Sequence, residues 1–582
     1  MENRLTISDS AHARAEEFLK ISGQFRLGEL VTESSHPITA HLSEVAQNDI
    51  ASALDLLFQV DDDVVAKYRQ GAQSGRSYEI ADVVTNALRA GGRIFFTGCG
   101  ATGRLSILLD SIWRDFWQGR DSQWRDRTIS LMAGGDFALI KSVEGFEDIT
   151  EFGRRQIADV GVGKNDVVFA ITEGGETSWV IGTAWQALES GAKVYFVYNN
   201  PDELLRKHVE RSREIIDDPR IEKINLTTGP MAITGSTRMQ ATTIQLCVLL
   251  TILEIVVRNL QGLGDGTIPQ QFLESLEKMH KALRSEHFLH QLANLVEMEE
   301  SVYRAGGKVN YFADNLAIDV LTDTTERSPT FCIPPFKKWD DSDASDSWAF
   351  LFTPAMTTGD AWHRLLKRTP RAVEWSEDQV REMVGDEDCA HRYEVIKRIS
   401  LSEIYRFRIG QDGIDLRPLG PGDAAVFVLD DGDESFQSVA ESGIRIGRIC
   451  ACECSACMPS VKLPSIGNEF LLKGIKRVGV KMLLNALSTC IMVRLGRVMG
   501  NCMIYVVPSN LKLIDRAVRY VSNLTGMDYD DACRLVFDVI EYVEPRMKND
   551  IAYPPVVGMS VIRAREHVGN QEAEEILSRL NC

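Results

Sequence analysis

Short apolar runs alternate with longer segments of helical periodicity between about residues 76 and 260. Four of these runs predict buried strands, because each is brief, rich in Ile, Val and Phe, and ends in a turn signal: RIFFTG (93–98), TISLMAGGD (128–136), DVVFAITEGG (166–175) and AKVYFVYNN (192–200). A Ser/Thr-rich entry followed by a long apolar run predicts a helix over 235–262, and a Leu-, Glu- and Lys-rich pattern predicts further helix over 270–303. This alternation predicts a parallel sheet with helices on both faces.

The second half of the chain follows a similar order. The matching segments are GGKVNYFADNLAIDVLTD (306–323) with GGRIFFTGCGATGRLSILLD (91–110), AAVFVLDDGDESFQSVAESG (424–443) with VVFAITEGGETSWVIGTAWQALESG (167–191), and LLNALSTCIMVRLGRVMGN (483–501) with the long helix. We therefore predict two related α/β domains in tandem. The expected units are an N-terminal helical segment packing on the first domain (1–75), the first domain (76–268), a helical connection with the second domain (269–505), and a C-terminal helical cap (506–582).

Composition narrows the class of protein. A chain of 582 residues is too long for one core, and its 44% hydrophobic and 25% charged content is ordinary for a soluble protein. The net charge of -19 argues against nucleic acid and anionic membranes as partners. We expect no signal peptide, and the longest apolar stretch (247–257) is short for a membrane span and contains Glu254. A cytoplasmic protein with reduced cysteines is the expectation.

The glycine-rich segment GCGATG (98–103) joins a predicted strand to a predicted helix. Gly98, Gly100 and Gly103 allow a ligand to approach the backbone, and the helix start supplies free N–H groups and a positive dipole end, so we predict a phosphate-bearing ligand. The segment also satisfies the dinucleotide fingerprint G-x-G-x-x-G. A nicotinamide site needs an acid about 20 residues further on, whereas the next strand ends later, at Asp136. We therefore favour a phosphate site without a cofactor.

A second loop, ITEGGETSWVIG (171–182), follows the third predicted strand. Thr172 and Thr177 surround Gly174 and Gly175 at a strand-to-helix turn, and hydroxyls and amides in that position hold a compact monophosphate. The alternative is that these hydroxyls cap the helix. Two such loops after successive strands favour the phosphate site.

The second half lacks both loops. Its first turn reads ADNLAIDV, without glycine, and its second turn places four carboxylates where a phosphate would bind: Asp430, Asp431, Asp433 and Glu434. Carboxylates repel a phosphate dianion, so we predict one ligand site.

Four cysteines cluster in ICACECSAC: Cys450, Cys452, Cys454 and Cys457. The last two have C-x-x-C spacing, which is one half of a zinc site, but the second C-x-x-C pair is missing. The first three alternate as one face of a buried strand does. We favour the strand and expect no metal.

The motifs TGCGATGR, EGGET and ITGSTRM together resemble the sugar isomerase (SIS) phosphosugar-binding family, and more narrowly the family of N-acetylmuramic acid 6-phosphate etherase and the glucokinase regulatory protein. Further segments carry the resemblance along nearly the whole chain: LVTESSHP (30–37, with His36 where Asn is usual), LMAGGDFALIKSVEGFEDI (131–149), DTTERSPTF (323–331) and KMLLNALST (481–489). The resemblance implies two SIS-type domains, each a flavodoxin-like parallel sheet in three αβα layers, plus a C-terminal helical subdomain. The bacterial etherases have one such domain and dimerise, whereas the tandem arrangement is similar to that of the glucokinase regulatory protein.

The resemblance also implies a site. The etherases use two glutamates; by register the first is replaced by Ile112 in the first domain and kept as Glu326 in the second, while Glu144 keeps the other. If the domains pack like a dimer, one composite pocket is expected, with Glu144 and Glu326 as the acids. Its binding residues would be Gly98, Gly100, Ala101, Thr102, Gly103, Thr172, Gly174, Gly175, Thr177, Ser236, Thr237, Arg238 and Lys481. Glu173 departs from the neutral residue usual in the family, so it should point away from the phosphate or weaken its binding.

Two classes of function remain open. One is a regulatory protein that binds a hexose phosphate similar to fructose 6-phosphate and controls a sugar kinase; the tandem build favours it. The other is an N-acetylmuramic acid 6-phosphate etherase, in which one glutamate removes the sugar C2 proton and the other protonates the leaving lactate; the sequence SPTF (328–331) is closer to this class. A phosphosugar isomerase is a weaker alternative.

Overall fold

A computed structural model describes most of the chain. The described residues are 7–22, 27–143, 145–436, 443–452, 460–467, 470–508, 511–548 and 553–580. Glu144, Cys454 and Cys457, which the sequence analysis singled out, lie outside them.

The first sheet contains five parallel strands in the order β2-β1-β3-β4-β5. The strands are β1 (Ile94–Gly98), β2 (Thr128–Met132), β3 (Val167–Ile171), β4 (Lys193–Tyr198) and β5 (Glu222–Asn225). The helices that accompany them are α6 (Gly100–Trp117), α7 (Ser122–Arg125), α8 (Thr150–Asp159), α9 (Ser178–Glu189), α10 (Asp202–His208), α11 (Glu210–Asp217) and α12 (Gln240–Gln261). We call these strands and helices the first α/β region.

The second sheet has five parallel strands in the order β10-β9-β8-β6-β7. The strands are β6 (Val309–Ala313), β7 (Ala349–Phe352), β8 (Ala424–Leu429), β9 (Arg445–Cys450) and β10 (Val461–Lys462). The accompanying helices are α13 (Ile268–Leu283), α14 (Glu286–Arg304), α15 (Ala317–Phe331), α16 (Thr358–Leu366), α17 (Glu377–Lys397), α18 (Leu401–Ile404) and α19 (Gly474–Arg494). We call this the second α/β region.

The two sheets therefore have the same topology. Numbered from its own first strand, each has the order 2-1-3-4-5, which is that of flavodoxin-like sheets. The predicted α/β class with two parallel sheets is confirmed. Their central strands are buried on both faces, and this explains why apolar runs rather than alternating patterns marked them in the sequence.

Helices at the two ends of the chain pack around both regions. The N-terminal helices are α1 (Asp9–Ser22), α2 (Leu42–Asn48), α3 (Ile50–Gln59), α4 (Asp62–Gln73) and α5 (Arg76–Arg89). Of these, α4 packs against α12 and α13, whereas α3 packs against α14 and α19, so the N-terminal segment contacts the second region as well as the first. After the hairpin of β11 (Val498–Met499) and β12 (Cys502–Met503), the chain ends in α20 (Leu511–Thr525), α21 (Tyr529–Lys548), α22 (Val556–Glu566) and α23 (Asn570–Leu580).

One described helix, α12, has the length and composition of a membrane span. In the fold, 94% of its most apolar window is buried inside the protein, where α12 packs against α5 and α19. Glu254 within it accepts the N–H groups of Leu471 and Leu472 at 2.9 and 3.0 Å. A buried carboxylate with internal donors identifies α12 as a core helix.

The cysteine cluster lies at the end of β9. Cys450 is the last residue of that strand, and Cys450 and Cys452 are buried. The other two cysteines of the cluster fall outside the described residues. In the part of the chain that is described, no group of three or more His, Cys, Asp or Glu side chains is arranged to hold a metal ion.

Candidate functional site

A cavity of about 390 Å³ opens at the carboxyl edge of the first sheet. Its wall combines the loops after β1 and β3, the turn before α12, the end of α15 and the start of α20. The residues of the predicted site that line it are Gly100, Ala101, Gly174, Thr177, Ser236, Thr237, Arg238 and Glu326. Doubly wound sheets bind ligands at this edge, where the strand order reverses; here that point lies between β1 and β3.

The loop after β1 leads the chain into α6 through a tight turn. Gly100 has a φ of +53°, a left-handed conformation that favours glycine. A Cβ on Gly98 would lie 2.5 Å from the carbonyl carbon and oxygen of Thr102. The Thr102 hydroxyl accepts the N–H of Cys99 at 3.0 Å. Gly98, Thr102 and Gly103 therefore determine the shape of the turn without lining the cavity, whereas Gly100 lines it.

The loop after β3 is held by its own hydroxyl groups. The hydroxyl oxygens of Thr172 and Thr177 lie 3.0 Å apart, and the N–H of Gly175 donates to Thr172 at 3.3 Å. Thr177 then precedes the first turn of α9. Thr172 and Gly175 form the support, while Gly174 and Thr177 reach the cavity. The starts of α6 and α9 thus meet at one cavity.

The turn before α12 supplies a third side of the wall. Ser236 and Thr237 line the cavity, and Arg238 follows them. The Arg238 guanidinium is buried and donates to the hydroxyls of Ser488 at 2.7 Å and Thr489 at 2.8 Å. Burial lowers the pKa of Arg238. This arginine fastens the turn to α19 of the second α/β region.

Lys481 lies next to the cavity rather than in its wall. It lines a smaller cavity of about 40 Å³, shared with Arg238 and Glu326. Its ammonium group donates to the backbone oxygen of Arg238 at 2.8 Å and to Oδ1 of Asn485 at 2.7 Å. Burial lowers the pKa of Lys481 to about 8, with Asp61 opposing the shift. Lys481 therefore supports the turn that carries the site.

Glu326 is carried into the cavity by α15 of the second α/β region. The buried Arg104 of α6 forms an ion pair with it, and Nε of Arg104 donates to the hydroxyl of Thr325 at 3.0 Å. Ile112, at the register position of Glu326 in α6, is buried. The structure thus brings one predicted acid into the cavity; Glu144, the other, is outside the described residues, so the distance between them stays a prediction.

The cavity also contains charged residues that the sequence analysis missed. At its rim, Lys512 of α20 pairs with Glu176 at 2.9 Å, and Arg516 pairs with Glu33 at 2.6 Å. Burial would raise the pKa of Glu176, but Lys512 and Arg211 outweigh it and bring the pKa to about 2. The four-residue spacing of Lys512 and Arg516 places both on one helix face. That spacing is a sequence signal, although it does not say what the face meets.

Glu173 lines the cavity, so it does not point away from the predicted phosphate loops. It is 9% exposed. Burial raises the pKa of Glu173 to about 8, and the negative charges of Glu326 and Glu147 add to the increase. Glu147 also lines the cavity and accepts a hydrogen bond from Sγ of Cys99 at 2.9 Å.

Sequence comparisons with known proteins match the part of the chain that carries these loops. The family model of the glucokinase regulatory protein N-terminal SIS domain matches residues 78–188, which include the loops after β1 and β3. The N-acetylmuramic acid 6-phosphate etherase of Clostridium acetobutylicum is 28% identical over 258 residues, which are 44% of this chain and 79% of that protein. The enzyme of the same name from Clostridioides difficile is 30% identical over 232 residues, covering 40% of this chain and 70% of that protein.

A solved structure is also similar in part. The tagatose-6-phosphate ketose/aldose isomerase from Escherichia coli aligns with a TM-score of 0.41 and 10% sequence identity, over 80% of this chain and 99% of that chain.

Proposed function

Because the chain belongs to the SIS family of phosphosugar-binding proteins, we propose that its cavity binds a hexose phosphate such as fructose 6-phosphate. We further propose that the protein is a regulator, similar to the glucokinase regulatory protein, that controls a sugar kinase according to the occupancy of this site.

One observation carries the proposal: two helix starts and a hydroxyl-bearing turn meet in a single cavity. The starts of α6 and α9 offer the positive ends of two helix dipoles and N–H groups of their first turns, of which Trp179 already donates to the backbone oxygen of Glu147 and Thr102 to that of Cys99. Thr177, Ser236 and Thr237 add hydroxyl donors. The volume of about 390 Å³ lies in the range of small-molecule sites. This combination suits a phosphate monoester with a sugar attached.

Carboxylates in the same cavity suit the sugar. Glu147 and Glu326 line the cavity, and carboxylates accept hydrogen bonds from sugar hydroxyls. Glu326 is kept in place by its ion pair with Arg104, which crosses from the first α/β region to the second. A bound sugar would therefore touch both regions.

The start of α20 connects this site to the C-terminal helices. Lys512 and Arg516 reach the rim, where Glu176 and Glu33 bind them. A phosphate bound nearby offers these cations a second anionic acceptor besides the two carboxylates. Ligand binding would then change how α20 is held, and this is the route by which occupancy can reach a partner surface.

Isothermal titration calorimetry with fructose 6-phosphate, glucose 6-phosphate and inorganic phosphate tests the site. We expect the hexose phosphates to bind and Thr177→Val to weaken binding at least about tenfold, the loss of one hydrogen bond to a charged group. Ser435 lies in the corresponding loop after β8, so Ser435→Ala is the control and should bind like the wild type. Absence of hexose phosphate binding contradicts the proposed site.

The regulatory role needs a kinase assay. Glucokinase activity is measured with the protein present, with and without fructose 6-phosphate, and with Thr177→Val in place of the wild type. A regulator changes kinase activity in a manner that depends on the ligand, and Thr177→Val loses that dependence. If kinase activity is the same under all conditions, the proposed regulatory role is contradicted, whereas the proposed ligand site is not.

A second candidate is an N-acetylmuramic acid 6-phosphate etherase, and the relatives of that name favour it. Elimination of lactate needs one ionised carboxyl to take the C2 proton and one protonated carboxyl to serve the leaving group. In the described cavity, Glu326 beside Arg104 and Glu173 with its raised pKa offer such a pair.

Release of lactate from N-acetylmuramic acid 6-phosphate separates the two candidates. Release by the wild type and its loss in Glu326→Gln would make the protein an etherase. If folded wild-type protein binds hexose phosphate but releases no lactate, the regulatory protein remains the proposed function.

A further inference from the structure

Glu173 lies in the loop after β3, one of the two loops that the proposed function assigns to phosphate. It is the second residue after the end of β3, and its backbone oxygen accepts the N–H of Asn199 at 2.9 Å, which fixes the residue beside the strand end. Glu173 lines the cavity and is 9% exposed. An ionised carboxylate here would repel a phosphate dianion.

Titratable and charged groups of the neighbouring elements line the same cavity as Glu173. They are Glu326 of α15, Cys99 and Glu147 of the neighbouring loops, Arg238 of the turn before α12, Glu176 of its own loop, Glu33, and Lys512 and Arg516 of α20. Arg104 of α6 pairs with Glu326 from the smaller adjoining cavity. Each cation in this set already has partners: Arg104 has Glu326, Arg238 has Asp323 and two hydroxyls, Lys512 has Glu176, and Arg516 has Glu33. Within the described ranges, the Glu173 carboxyl forms no ion pair.

We propose that Glu173 binds the ligand as a neutral carboxylic acid, whose O–H donates a hydrogen bond to an oxygen of the sugar phosphate. This inference rests on the proposed function of the cavity. A protonated carboxyl is a donor that a phosphate accepts, whereas its ionised form offers only acceptors. The affinity for hexose phosphate therefore depends on the protonation of this one side chain.

The direction of the pH dependence follows from the burial of Glu173. Burial, with the charges of Glu326 and Glu147, raises its pKa to about 8. The phosphate ester stays a dianion above a pH of about 6, so at higher pH only protein groups change. Affinity is full below the pKa of Glu173 and falls as the pH rises through it. Lys481 also loses its charge near pH 8, because burial lowers its pKa, and it is the competing cause.

Calorimetric titration with fructose 6-phosphate between about pH 6.5 and 9.5 tests the inference with three proteins. For the wild type, Kd should rise above pH 8 by about tenfold per pH unit, the limit for one proton. Glu173→Gln places a neutral donor of the same shape at the site, so its Kd should stay nearly constant. Lys481→Met should keep the rise, because Glu173 is still present.

The outcomes are distinguishable. If Glu173→Gln retains the pH profile of the wild type, the inference is overturned while the proposed site stands. If the wild type binds no hexose phosphate at any pH, the proposed function fails, and the role of Glu173 with it. An infrared difference spectrum of wild type minus Glu173→Gln reports protonation without ligand. We expect a carboxylic acid C=O band at pH 7, and carboxylate bands alone would overturn the inference.

Discussion

The carboxyl edges of the two sheets have the same strand order but differ in what fills them. At the first sheet, the loops after β1 and β3 face a cavity. At the second sheet, the corresponding loops after β6 and β8 are joined by Asp433, whose carboxylate accepts the N–H groups of Asn315 at 3.1 Å and Asp430 at 2.6 Å. A side-chain carboxylate thus binds the N–H groups that a phosphate would otherwise bind.

The charges of the second edge are also neutralised within the protein. Arg364 binds both oxygens of Asp314 at 2.5 and 2.6 Å and pairs with Glu434 at 3.0 Å. Lys476 pairs with Asp430 at 2.7 Å. The comparison shows that the same strand order allows an anion site at the carboxyl edge of either sheet. The side chains of two loops at that edge decide whether an anion can bind there. The second region contributes instead through α15, which lines the first site, and through α19, which supports the turn before α12.

The largest loss of stability is expected from replacing a buried arginine of α15, the helix that carries Glu326. Next to it, Arg327 is completely buried and binds Asp323 at 3.0 Å, the Tyr311 hydroxyl at 3.0 Å and Glu299 at 3.5 Å. Arg327→Met leaves Glu299 buried without a cation and leaves Asp323 with Arg238 alone, so it should lower the free energy of unfolding by about 3–5 kcal/mol. Urea unfolding measures this loss.

The matched arginine for this experiment is Arg381, which is 40% exposed and pairs with Glu377 and Asp378. Arg381→Met should unfold like the wild type, because exposed ion pairs contribute little. Equal stability of both variants would show that the buried ion network under α15 does not stabilise the second region.

The next prediction is that the stability conferred by a glutamate depends on pH at the first sheet edge but not at the second. Lys512 and Arg211, against the opposing effect of burial, lower the pKa of Glu176 to about 2. Its contribution to stability is therefore present above its ordinary pKa and is lost as the pH falls from about 4.5 toward 2, on the order of 3 kcal/mol. Glu176→Gln should be less stable than the wild type at pH 7 and equally stable near pH 2. Glu434, in the corresponding loop after β8, is exposed, and Glu434→Gln should show no such convergence in unfolding measured against pH.

Sequence reasoning predicted four of the five strands of the first sheet and missed the fifth, the edge strand β5. The strands β1, β3 and β4 are nearly continuous apolar runs and lie inside the first sheet. The edge strand β5 reads EKIN and is only partly buried, so its pattern resembles that of a loop. The predicted helix over 270–303 is two helices, α13 and α14, because the chain turns at Arg284 and Ser285 without a proline or glycine to mark the break.

The site could be predicted as far as local motifs reach. The glycine and threonine loops predicted where two helices begin. The resemblance predicted that Glu326, more than 200 positions further along the chain, lies in the same pocket as these loops. Lys512 and Arg516 were missed because their role depends on how α20 docks on the first region, which tertiary packing alone decides. Lys481 was expected to bind the ligand, but its ammonium group is taken up by the carbonyl of Arg238, a partner that no sequence pattern shows.

A smaller effect is expected from exchanging one residue between the edges. Gly98 ends β1, and Ala313 ends β6 at the same register position. In Gly98→Ala the new methyl group would overlap the Thr102 carbonyl at 2.5 Å, so stability should fall by about 1–3 kcal/mol and hexose phosphate affinity at least about tenfold. Ala313→Gly should cost at most about 1 kcal/mol and leave binding intact. Calorimetric binding and urea unfolding report both values; unchanged binding in Gly98→Ala would contradict the assignment of this loop to the site.

The smallest effect concerns the carboxylate that closes the second edge. Asp433→Asn keeps the shape but offers one oxygen in place of two, so one of the two N–H groups loses its acceptor and stability should fall by about 1 kcal/mol. Asp430 and Asp431 remain beside the loop, and their charges continue to repel phosphate. Calorimetry should therefore still find one hexose phosphate per chain. A second bound equivalent would show that Asp433 alone separates the two edges, and that the rest of the second edge has kept the ability to bind an anion.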